Sequence, residues 1–134
     1  MDLEISVSHH GPFFNDPARK SITHAGIDQV HRDIAKEGEN MVGLQLIRVL
    51  KHPTGRYEAH IRHERIGTYT SRVSDGGRIV YGPWLEGVGS RNFPVTRFKG
   101  YFTFRKVTPK LQAKAASIAK RALRPFIARL NGGA

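Results

Sequence analysis

From Asp16 to Leu50 the sequence reads as one long amphipathic helix, and a chain of 134 residues must build the rest of its fold against it. Asp16-Pro17 starts it, with a carboxylate beside free backbone donors and a proline in the first turn. Ile22, Ala25, Val30, Ile34, Met41, Leu44 and Arg48 follow a three-and-four spacing. Val42, Leu46, Val49 and Leu50 widen the apolar stripe, while Asp28, Asp33, Glu37 and Glu39 mix with Arg32 and Lys36 on the wet side. Gly26, Gly38 and Gly43 each cost an isolated helix about 1 kcal/mol relative to alanine. Two readings follow: the helix breaks near Gly26, or close packing accommodates the glycines. His52-Pro53-Thr54-Gly55 ends it.

On either side of this helix the apolar period shortens to two. Leu3, Ile5 and Val7 alternate with Glu4 and Ser6, which predicts a half-buried strand. His9-His10-Gly11-Pro12 breaks it. Phe13 and Phe14 then read as anchors of a 1–15 arm, docked on the core or on a neighbouring subunit. Tyr57, Ala59, Ile61 and His63 alternate with Glu58, His60, Arg62 and Glu64, predicting a second strand. Gly67 supplies a turn, and Tyr69 with Arg72-Val73 predicts a third strand. Ser74-Asp75-Gly76-Gly77 is a hairpin signal, with Arg78-Ile79-Val80-Tyr81 returning.

Gly82-Pro83 stops that strand within an aromatic stretch, Ile79 to Phe104, which holds the single tryptophan, Trp84, and the last acidic residue, Glu86. Tyr101, Thr103 and Arg105 alternate with Phe102, Phe104 and Lys106, predicting a last strand or an extended arm. Thr108-Pro109 predicts the start of a final helix. There Leu111, Ala115, Ile118 and Ala122 share one face, and Lys110, Lys114, Ser117, Arg121 and Arg124 the other. Pro125 is expected to interrupt it. Phe126, Ile127 and Leu130 follow as an apolar cap, and 131–134 as a frayed tail. The predicted fold is a single α+β domain over 1–134, with a long N-terminal helix, an antiparallel hairpin-rich sheet and a basic amphipathic C-terminal helix.

Charge divides the chain sharply. The net charge is +11, yet residues 1–86 hold 11 basic and 11 acidic residues and sum to zero. The whole excess lies after Glu86, where no Asp or Glu occurs. Such asymmetry points to an anionic partner or an acidic protein surface, against the plainer reading of a solvated basic face. The chain has no cysteine, hence no disulfide framework, thiolate metal site or cysteine nucleophile, which suits a reducing compartment. No apolar run approaches the ~20 residues of a membrane span, and no basic-then-apolar leader opens the sequence. We therefore expect a soluble protein.

Chemistry is sparse in this sequence. The seven histidines lack metal-ligand spacing: His60 and His63 are placed on opposite faces of a predicted strand, and His24 and His31 lie two turns apart. Glu86 has no carboxylate partner and reads as a rim ion pair with Arg91 or Arg97. Gly87-Val88-Gly89 lacks the downstream Lys and Ser/Thr of a phosphate loop. We therefore expect no enzyme, no metal and no cofactor. Aromatics interleaved with Lys and Arg around Phe98, Tyr101, Phe102 and Phe104 keep a nucleic-acid-binding module open as an alternative.

The order of a long helix, a hairpin-rich sheet, Tyr81-Gly82-Pro83-Trp84-Leu85-Glu86-Gly87, a basic loop and a helix with Arg124-Pro125-Phe126 resembles the tail-completion, or head–tail joining, proteins of long-tailed bacteriophages. The resemblance covers most of the chain from about residue 20. It implies a non-catalytic structural subunit of the virion neck or tail, assembled in the host cytoplasm into a homo-oligomeric ring between head connector and tail. A tail terminator or minor tail subunit would look alike. Expected partners are further copies of itself, neighbouring neck and tail proteins, and nonspecifically the genomic DNA in the channel, with no membrane. Tyr81, Trp84, Leu85, Glu86, Arg91, Phe93, Phe98 and Tyr101 are the expected subunit interface, residue types that interfaces favour. Arg97, Lys99, Lys110, Lys114, Arg121 and Arg124 are expected to face DNA or an acidic partner.

Overall fold

The computed structural model describes residues 1–10, 16–50, 57–77, 81–87 and 100–132. Strand β1 (Asp2–Ser6) leads to helix α1 (Pro17–Val49), as the sequence predicts. Asp16 caps α1: its carboxylate accepts from the N–H groups of Ala18 at 2.9 Å and Arg19 at 3.3 Å, and Pro17 needs no partner there. The helix ends where Leu50 turns extended. Its buried stripe runs Thr23, Ile27, Val30, Ile34, Gly38, Val42 and Leu46. Leu44, expected on that stripe, is 65% exposed.

The sheet lies on one side of the helices. Strands β2 (Arg62–Gly67) and β3 (Thr70–Ser74) form a hairpin that turns at Thr68 and Tyr69, one residue past the expected Gly67, and β3 is central in the antiparallel order β1-β3-β2. Leu3 pairs with Val73 and Ile5 with Ser71, and Leu3, Ile5, Ser71 and Val73 are buried. Glu4, Arg72 and Glu64 stand in one cross-strand row on the other face. Tyr57 to His63 does not form the expected strand. Glu58–His60 is a 3-10 turn, and the extended run begins at Arg62. Tyr57 and Ile61, the buried members, are four apart, a spacing that one helical turn satisfies as well as alternation does. Every β2 residue is exposed. The expected returning strand falls largely on 78–80, outside the described residues, and Tyr81 is a turn.

After the short helix α2 (Gly82–Glu86), the last helix, α3 (Thr103–Leu130), differs most from expectation. The alternation from Tyr101 to Lys106 is neither strand nor arm. Phe102 adopts a left-handed cap conformation, φ 53°, and the helix begins at Thr103. Pro109 lies within it and Pro125 does not end it. Burial outweighs the lost hydrogen bonds: Phe104 and Val107 before Pro109, and Leu111, Ile118 and Ala122 after it, all enter the core.

Helices α1 and α3 run antiparallel, with Gly26 against Leu123 and Phe126, and Gly38 against Leu111 and Val73. A β-carbon at Gly38 would lie 3.0 Å from the Leu111 side chain and 3.2 Å from that of Val73. Close packing is thus the answer to the glycines of α1, and the helix is unbroken. Gly43 faces open space and has no such reason.

Candidate functional site: a clamped corner and a basic helix face

The expected interface centres on a corner fixed by two buried carboxylates. Glu86, at the end of α2, is 5% exposed. Its two oxygens accept from the N–H groups of Phe104 at 2.9 Å and Arg105 at 3.2 Å. It therefore caps α3 from a distant part of the chain, where negative charge also meets the helix dipole. Burial takes it off any rim, and Arg91 and Arg97, its expected partners there, lie outside the described residues. Two backbone bonds close the same junction, from Tyr101 N–H to the Leu85 carbonyl at 2.7 Å and from Phe102 N–H to the Glu86 carbonyl at 3.2 Å. Gly100, φ 104°, passes so near Gly87 that no side chain fits.

Asp75 is the second carboxylate, on the turn after β3. It accepts from the Tyr57 hydroxyl at 2.8 Å, the Gly77 N–H at 2.9 Å and the Met1 amino group at 3.2 Å. Burial alone would raise its pKa, but these donors outweigh that and hold it below the usual carboxylate range. Burial, reinforced by Asp75, pushes the Tyr57 hydroxyl far upward, so it stays a donor. The Tyr57 ring lies 5.8 Å from that of Tyr81, and Gly82 sits directly over Asp75. Met1, β3 and α2 therefore meet at one point.

The expected interface residues thus divide. Tyr81 is 39% exposed on the corner, and Trp84 lies in α2 with its side chain outside the described set. Leu85 and Glu86 are buried in their own chain, which corrects their assignment to a surface. Tyr101 is half-buried against the core. Arg91, Phe93, Phe98, Arg97 and Lys99 lie outside the described residues.

The basic face forms as predicted. Helix α3 contains eight Lys and Arg and no acid. Lys106, Lys110, Lys114, Arg121 and Arg124 are exposed along one stripe, about 27 Å long at 1.5 Å per residue. Lys114 reaches Glu37 of α1 at 3.2 Å. Arg105 instead lies 4.7 Å over the Phe102 ring.

Sequence reasoning missed three features. The spacing absorbs exposed Leu44 into an apolar stripe and Glu58 into an alternating strand, and it does not single out exposed Ile47. Asp75 looked like turn chemistry alone, since Asp-Gly is a common turn pair. His31 is also buried, with Nδ1 2.7 Å from the Ser71 hydroxyl and Nε2 without a partner among the described residues. Among the described residues no group of three or more His, Asp or Glu is placed to hold a metal ion, and no helix is long and apolar enough to cross a membrane. No protein-family model, no curated protein and no solved structure matches the chain.

Proposed function

We propose that this chain is a structural subunit of a long-tailed phage neck, assembling head-to-tail into a ring that joins the head connector to the tail. A tail terminator or minor tail subunit is the same reading at an adjacent layer. The observation that supports it is the corner. Tyr81 and the α2 backbone that carries Trp84 are clamped between the Glu86 cap and the Asp75 cluster, so an aromatic contact surface is held in place before any partner arrives. Aromatic anchors of this kind carry a large share of association energy. Trp84→Ala is expected to leave helicity and thermal unfolding near wild type while abolishing rings, read by native mass, and head–tail joining, read by virion yield. Normal joining in that variant would sink the proposal.

The unpaired stripe on α3 favours a second reading, a basic nucleic-acid-binding module. Lys106, Lys110, Arg121 and Arg124 make no ion pair among the described residues. Replacing all four with Gln should flatten the slope of log affinity for duplex DNA against log salt by about 3.6 if each meets one phosphate. An unchanged slope would exclude this face as the DNA contact.

A further inference from the structure

A shallow groove of about 630 Å³ runs between the C-terminal half of α1 and the Glu58–Arg62 segment. Its walls include Leu44, 65% exposed, and Ile47, 57% exposed, the two most exposed large apolar side chains among the described residues. Three carboxylates join them: Glu37, Glu39 and Glu58. Glu37 is held by Lys114 and Glu39 by His63. Glu58 differs, because both of its oxygens are buried and neither has a hydrogen-bond partner among the described residues. An unanswered buried carboxylate is costly, and a cation brought by a partner would recover that cost.

The same chain carries the complement. Ile127 on α3 is 49% exposed, and Lys120 and Arg124 precede it by seven and three positions, on one stripe of the helix. All three point to solvent without an ion pair among the described residues. An apolar knob with two cations beside it on the same stripe matches a groove that combines apolar walls with carboxylates. Because Gly26 faces Leu123 and Phe126, Ile127 lies toward the N-terminal end of α1. Leu44 is about 27 Å away along that helix, so no copy fills its own groove.

We propose that Lys120, Arg124 and Ile127 of one copy dock in the Leu44–Ile47–Glu58 groove of the next, a heterologous contact that propagates until rotation closes it. The proposal rests on the self-assembly reading above and adds a second contact to the aromatic corner. The absence of native cysteine permits a direct test. Leu44→Cys and Ile127→Cys, both at exposed positions, are mixed and oxidised while the wild-type mass is followed by light scattering. The expected product is the 44–127 disulfide between copies. A predominant 44–44 or 127–127 product indicates a two-fold contact and overturns the proposal. Wild-type assembly without any 44–127 bridge also overturns it and leaves the ring reading standing. A chain monomeric at every concentration overturns both. Arg124→Glu should weaken assembly at least tenfold, with recovery on pairing with Glu58→Lys; the absence of recovery counts against this pairing.

Discussion

The corner and the groove both place carboxylates out of water, and they treat them in opposite ways. Asp75 and Glu86 are answered within the chain, by a hydroxyl, a terminal amine and backbone N–H groups. Glu58 has no hydrogen-bond partner among the described residues. A carboxylate with its full set of donors is part of what folds the subunit, whereas one left without donors marks a surface completed from outside.

Breaking the Asp75 cluster should have the largest effect. Asp75→Asn is expected to cost about 3 kcal/mol, because it leaves a half-buried amine and a buried hydroxyl without their anion. Urea unfolding measures this, and a loss below about 1 kcal/mol would mean the cluster is peripheral. Glu86→Ala should cost about 2 kcal/mol by uncapping α3, with hydrogen exchange rising first at Phe104 and Arg105. Uniform exchange across α3 would show that the cap is not local.

Acid should separate two limbs of stability. Burial first, and then Arg65, hold His31 below its ordinary value of 6.5, against the opposing pull of Asp28. The unfolded chain therefore binds a proton before the folded one does, so stability is complete above about pH 6.5 and declines below it. Asp75, also lowered, gives up its contribution only as pH falls below its ordinary 3.8. His31→Gln should remove the upper limb and keep the lower, as urea midpoints against pH would reveal. The smallest effect belongs to the groove: Glu58→Met should raise monomer stability by about 1 kcal/mol while weakening assembly. A destabilised monomer would erase the contrast between the two regions.

The sequence made legible what local chemistry decides. Asp16-Pro17 marked the α1 start because a carboxylate and a proline act on the turn they occupy. The basic stripe of α3 was legible because charge follows helical period. Pro109 and Pro125 misled because a breaker acts locally, whereas Phe104, Leu111 and Ile118 hold the helix through distant contacts. Leu44 misled because periodicity locates an apolar face without saying what lies opposite it. Glu86 was singled out by its position as the last acid, yet its partners lie eighteen and nineteen residues onward, a separation no spacing rule covers.

The crossing of Gly87 and Gly100, closed by the Leu85–Tyr101 and Glu86–Phe102 backbone bonds, works as a clasp. Because these bonds are made by main-chain atoms, the join between α2 and α3 depends on backbone shape, and any side chain at position 100 would pry it open.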